Sequence, residues 1–259
     1  MTASILSRIL EYKRLEVEQR KARRTQEMLR EFAESAAPTR GFAQALANES
    51  PAVVAEIKKA SPSKGVIREN FDPAGIATSY YEGGATCLSV LTDQHFFQGD
   101  DEYLIQARDT VPLPILRKDF VVDQYQIFEA RVIGADCVLL IAAALDPRTM
   151  SELYEAAISI GLDVLIEIHN AAELDTAIAL EPSLIGINNR DLESFETNLD
   201  TTLELLDRIP KTIQVVTESG IQTRSDVERL RRAGVDAFLV GEAFMRAEDP
   251  GKQIKTLFS

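Results

Sequence analysis

The stretch VVAEIKKASPSKG, residues 53–65, sets Glu56, Lys58 and Lys59 directly after an apolar run. Burying one unpaired charge is costly, so several at the end of a core strand need a reason. A carboxylate beside two ammonium groups can move protons and hold anions, which is acid–base chemistry if other polar groups join them. Further apolar runs end the same way: Lys118, Asp119 and Phe120 in ILRKDF, Glu167 and His169 in LIEIH, Asn188, Asn189 and Arg190 in INNRDL. Glu218, Ser219 and Gly220 follow in TESG, and Gly241 and Glu242 in VGEA.

Alternation along a strand puts Glu56 and Lys58 on one face, Lys118 and Phe120 on one face, and Asn188 and Arg190 on one face. If these faces converge, two lysines, an arginine and several carboxylates meet. Such a cluster, partly desolvated, is expected to push Glu pKa values up and Lys pKa values down. Lys59, Arg117 and Asp119 fall on the other face, where salt bridges toward helices are expected. Singly, each of these charges reads as a snorkelling side chain or a structural ion pair. The turns ESG and VGEA expose backbone N–H groups suited to a phosphate.

The elements that must position these groups begin near Pro51. Eight apolar runs follow: AVVAEIK, CLSVLT, PILRKDF, DCVLLIA, DVLIEIH, LIGINN, IQVVTE and DAFLVG. Most are apolar on consecutive residues, as in parallel strands covered on both faces. Between them lie helical patterns such as 73–82, 124–133, 147–160, 171–180, 199–209 and 223–233. The joints GGATC, GADC, GLDV and GVDA repeat a Gly that can end a helix in a left-handed cap. These features predict a single α/β domain, a (β/α)8 TIM barrel over residues 49–259, preceded by a helical extension over 1–48. In that extension Ile5, Ile9, Leu10, Tyr12 and Leu15 recur at helical spacing, and a second helix is expected over 24–36. An open doubly wound sheet is the alternative, but no G-x-G-x-x-G follows the first strand. In a (β/α)8 barrel the active site lies at the C-terminal strand ends, where these polar residues stand.

Composition narrows the partners. The chain has 259 residues, 45% of them hydrophobic, and a formal net charge of -13. That field opposes binding to nucleic acid or to an anionic membrane, so an anionic small-molecule substrate needs a local cationic cluster. Two cysteines, Cys87 and Cys137, sit inside apolar runs, and the two histidines are scattered, so no metal site is expected. No window holds the roughly 18 consecutive apolar residues of a membrane-crossing helix. The first residues lack a secretory signal's apolar core, and a cytoplasmic protein is expected.

The motifs AEIKKASPSKG, SVLTDQHFFQG, ILRKDF, GADCVLLI, LIEIH, IGINNRDL and TESGI fall in the order found in indole-3-glycerol phosphate synthases. Over essentially its whole length the chain resembles that family. The resemblance implies ring closure of 1-(2-carboxyphenylamino)-1-deoxyribulose 5-phosphate, with release of carbon dioxide and water and no metal or organic cofactor. It implies that Lys118 is the general acid on the substrate ketone and Glu167 its partner carboxylate. Lys58 would meet the substrate carboxylate, Lys58 or Lys118 would donate the proton for dehydration, and Glu56 would take the ring proton. Asn188 and Arg190 would hold the anthranilate part and the catalytic groups. Ser61, Ser219, Gly220, Gly241 and the backbone N–H of Glu242 would receive the phosphate and ribulose chain. Phe97, Phe120, Leu139 and Leu239 would wall the aromatic ring. A monomer or weak oligomer is expected. Two other readings remain at this point: a Schiff-base sugar-phosphate aldolase, which borohydride trapping would reveal, and a phosphosugar-binding barrel without chemistry.

Overall fold

The computed structural model describes residues 4–192 and 194–259. Eight parallel strands close into a barrel: β1 (Ala52–Ile57), β2 (Cys87–Leu91), β3 (Ile115–Lys118), β4 (Cys137–Ile141), β5 (Asp163–Ile168), β6 (Leu184–Asn188), β7 (Gln214–Glu218) and β8 (Ala237–Val240). Each strand pairs with its sequence neighbours, and β8 closes on β1 through Ala52–Ala237 to Ala55–Val240. The open-sheet alternative is thereby excluded.

Strand alternation builds two cores. One phase faces outward to the helices: Val53, Ala55, Ile57, Leu88, Val90 and Ile115 belong to a cluster shared with helix residues such as Ile76, Leu104 and Leu153. The other phase fills the barrel with Ala52, Val54, Cys87, Leu116, Cys137 and Leu165. Both phases are apolar, which is why the runs look continuous. The inner phase turns from apolar to ionisable at the last inward position of β1, β3, β5 and β7.

Helix boundaries follow local chemistry. Pro73, Pro147 and Pro250 open helices at positions where the missing N–H costs nothing. Gly84, Gly134, Gly161 and Gly234 take φ between 79° and 95° at the expected joints, so the repeated Gly is a left-handed cap in each. The helices Asp101–Thr110 and Pro250–Phe258 complete the outer layer; the periodicity above did not mark them.

The chain before β1 forms α1 (Ile5–Arg23), α2 (Gln26–Ser35) and α3 (Phe42–Ala47). It runs from the barrel's mouth to its base. Lys13 of α1 is 1% exposed and reaches Asp93 and Asp119, both at 2.9 Å, beside the C-terminal strand ends. Leu29 and Ala33 of α2 pack with Tyr125 and Phe128 on the barrel's flank. Phe42 and Leu46 of α3 join the inner core at the opposite end. There Asp136 and Asp163, which enter β4 and β5, accept the backbone N–H groups of Arg40 and Ala43.

Candidate active site

The C-terminal strand ends surround one cavity of about 550 Å³, and every residue to which the family resemblance gives a role lines it. Inward alternation accounts for most of them: Glu56 follows Val54, Lys118 follows Leu116, Glu167 follows Leu165, and Glu218 follows Val216. The cavity's size suits a drug-sized ligand.

Lys118 occupies the centre. Its Nζ donates to Glu167 Oε2 at 3.0 Å and lies 3.6 Å from Glu218 Oε2. Lys58 pairs with Glu56 beside it. Glu167 and Glu218 are each 2% exposed. Burial alone would lower the Lys118 ammonium, but Glu167, Glu218 and Glu56 outweigh it and raise its pKa. The expectation that lysines here are driven down is therefore overturned at Lys118, because the carboxylates surround it at contact distance. Burial would raise Glu167 too, yet Lys118 and His169 hold it below its ordinary value. Glu218 goes the other way. Burial, with Glu167 and Glu56, prevails over Lys118 and pushes it up to about 8. The site thus pushes its two carboxyls in opposite directions, Glu167 down and Glu218 up, as in an acid–base pair.

Glu218 stood at a strand end in the sequence but was given no role. Two features position it. Gly186 on β6 leaves the space its carboxyl occupies. Asn189, buried at 2%, ties the β7 end down by donating to the Glu218 and Ser219 carbonyls at 2.9 and 3.1 Å. Gly241 does for Glu56 what Gly186 does for Glu218.

Arg117 and Asp119 point away from the cavity axis into ion pairs. Arg117 meets Asp101 and Glu129 at 2.9 and 2.8 Å, and Asp119 meets Lys13. Lys59 differs from expectation: among the described residues it makes no ion pair, and its carbonyl instead anchors the hairpin Ala60–Ser61/Gly65–Val66 through Ile67 N–H at 2.8 Å. That hairpin carries Ser61 to the cavity.

After β7, Ser219 and Gly220 both take left-handed backbone, φ 64° and 79°. For Ser219 that geometry costs about 1–2 kcal/mol, strain of the kind concentrated at binding sites. The turn brings both residues to the cavity beside Gly241. The sequence assigned Glu242 only its backbone N–H. Its side chain also has partners, Arg246 at 3.0 Å and Arg190 at 3.5 Å, which hold it below its usual pKa. Arg190 further donates to the Phe195 carbonyl at 3.0 Å, and Asn188 accepts the Arg190 N–H. Phe97 and Phe120 face each other with ring centroids 5.9 Å apart, and Leu139 and Leu239 form the floor. Ile5, Leu6 and Ile9 of α1 complete the apolar wall, a contribution that helical periodicity alone did not disclose.

The profile of indole-3-glycerol phosphate synthases matches residues 6–257. The chain belongs to that family. Indole-3-glycerol phosphate synthases are carboxy-lyases of tryptophan biosynthesis and act on a phosphorylated substrate. Among solved structures, tryptophan synthase subunit alpha from Legionella pneumophila str. Paris superimposes with TM-score 0.63 at 14% identity, covering 85% of this chain and 97% of its own. A 3-hexulose-6-phosphate synthase gives 0.64 at 15% identity, covering 80% and 97%. The N-acetylmannosamine-6-phosphate 2-epimerase from Clostridium perfringens gives 0.61 at 14% identity, covering 75% and 87%. These likenesses are likenesses of fold. Among the described residues no three His, Cys, Asp or Glu side chains are grouped to hold a metal ion, and no helix is long and apolar enough to cross a membrane.

Proposed function

We propose that Lys118 is the proton donor of an indole-3-glycerol phosphate synthase whose substrate is 1-(2-carboxyphenylamino)-1-deoxyribulose 5-phosphate. The observation that carries this reading is the Lys118 ammonium held 3.0 Å from Glu167 Oε2 and 3.6 Å from Glu218 Oε2 at the cavity. As the substrate's aromatic carbon attacks the ketone, negative charge grows on the ketone oxygen. A fixed ammonium stabilises that charge and then delivers its proton. Glu167, ionised, is ready to receive a proton in exchange.

Lys58 meets the carboxylate that leaves as carbon dioxide. It must hold that group without overstabilising it, so its contribution is to position the carboxylate. Glu56 takes the ring proton as aromaticity returns, and the hydroxyl on the former ketone carbon departs as water with a second proton from Lys58 or Lys118. Asn188 and Arg190 hold the anthranilate part between the Phe97, Phe120, Leu139 and Leu239 walls. The phosphate lies against Ser61, Ser219, Gly220, Gly241 and the N–H of residue 242. Lys58, Lys118, Arg190 and Arg246 line the cavity, each beside a carboxylate, and offer positive charges to the substrate's anionic groups in an otherwise acidic protein. The setting we infer is cytoplasmic, as a monomer or weak oligomer, with residues 1–48 as an N-terminal extension to a barrel domain of residues 49–259.

A Schiff-base aldolase needs a neutral amine as nucleophile, normally secured by a lowered lysine pKa. Lys118 is shifted the opposite way, which disfavours that reading. A fluorescence assay for indole formation tests the proposal. The purified protein should convert the arylamino-ribulose phosphate to indole-3-glycerol phosphate without added metal, and absence of turnover would refute it.

A further inference from the structure

His169, two residues beyond Glu167, has no part in the roles assigned above. Its ring is nearly buried between two carboxylates. Nδ1 lies 3.0 Å from Glu173 Oε2, on the helix Ala171–Ile178. Nε2 is buried, has no hydrogen-bond partner, and lies 3.4 Å from Glu167 Oε1. Glu173 is itself fixed: the same Oε2 accepts the His169 backbone N–H at 2.7 Å, and Oε1 accepts from Asn170 at 2.6 Å. The other Glu167 oxygen, Oε2, faces Lys118.

A neutral imidazole has one N–H and one lone pair. Between two carboxylates, one nitrogen would then aim its lone pair at an anionic oxygen. Only the imidazolium, with both nitrogens protonated, satisfies both sides. Glu173 from the helix and Glu167 from β5 flank the ring and favour that form over burial, which opposes it; Glu218 on β7 adds to this only where it is ionised.

We propose that His169, clamped by Glu173, is the positioning residue for Glu167, directing Oε2 toward Lys118 and keeping a positive charge beside Glu167 while Lys118 gives up its proton. When Lys118 becomes neutral, Glu167 loses its nearest counter-charge inside a buried site. The imidazolium then balances the Glu167 charge until that carboxylate takes up its proton. The 3.4 Å separation closes to a hydrogen bond in the substrate complex, as catalytic contacts often do. This inference rests on the reading of Glu167 as a proton-transfer group.

The test compares His169→Leu, His169→Gln, Glu173→Gln and Glu167→Gln in the indole-forming assay, with histidine NMR of the intact protein. His95 and His169 are the two histidines, so assignment is simple. Both ring nitrogens of His169 should be protonated at neutral pH. His169→Leu should lower kcat roughly 10- to 100-fold, the worth of one charge-assisted hydrogen bond. KM should barely change, and the acidic limb of the kcat profile should move to higher pH. His169→Gln, which keeps a donor, should recover part of the loss. Glu173→Gln should bring an alkaline loss of kcat down toward neutral pH. A neutral His169 at pH 7, or an unchanged His169→Leu profile beside an inactive Glu167→Gln, overturns the inference. If His169→Leu fails to fold, Glu173→Gln and the NMR titration decide. A fully active Glu167→Gln overturns the underlying reading, and the role of His169 falls with it.

Discussion

Gly186 on β6 is the space that the Glu218 carboxyl on β7 occupies: a methyl group at position 186 would overlap Glu218 Oε1. Gly186→Ala must therefore push the Glu218 side chain off its place near Lys118. Overpacking of this kind costs about 1–3 kcal/mol, which a barrel of this size survives. The expected result is a folded variant with kcat lowered roughly tenfold or more. In a Glu218→Ala background the same substitution should cost little. An equal loss in both backgrounds would mean that Gly186 acts by another route.

Glu218 also makes stability depend on pH. Its native pKa, pushed up to about 8, lies above that of a carboxyl in the unfolded chain. The unfolded state therefore ionises first. The protonated carboxyl's contribution is fully present below the unfolded pKa and is lost as pH rises toward 8. Glu218→Gln removes this group's titration. Urea unfolding between pH 5 and 8 should show wild-type stability declining by a few kcal/mol and the variant's curve flatter. Parallel curves would show that Glu218 is ionised in the native state.

Lys13 is the latch of α1. It lies 2.9 Å from each of Asp93, Asp119 and Glu16. Asp119 is buried, which would raise it, but Lys13 and Arg117 hold it well below the usual carboxylate range. Lys13→Met leaves these buried carboxylates without their shared cation, a change worth about 3–5 kcal/mol. Amide exchange across Ile5–Arg23 should accelerate. KM should rise as Ile5, Leu6 and Ile9 leave the cavity wall. Unchanged protection of α1 would place its anchorage elsewhere, for instance in the stacking of Tyr12 on His95.

The barrel was legible in the sequence because its signals are local. Apolar runs covered on both faces, and glycines at 84, 134, 161 and 234 ending helices, need no knowledge of distant residues. The charged strand ends were legible for the same reason, since alternation sorts Glu56 and Lys118 from Lys59 and Arg117. What lay beyond reach depends on closure. Glu218 meets Lys118 only because β7 lies beside β6 and Gly186 opens a gap. Lys13 finds Asp119 across the whole N-terminal extension, and no periodicity records that pairing. The direction of the Lys118 shift was missed because composition counts charges but not distances. Glu242 gained side-chain partners because Arg190 and Arg246 converge from different segments.

The general-acid role of Lys118 is tested most directly by the Lys118→Ala variant in the indole-forming assay, with the fold checked by circular dichroism. The barrel should remain intact, because Lys118 faces the cavity and removing it leaves the two cores untouched. Loss of a well-placed proton donor costs roughly 10²–10⁴-fold, so kcat should fall by orders of magnitude. Near-normal turnover by a folded Lys118→Ala protein would contradict the assignment.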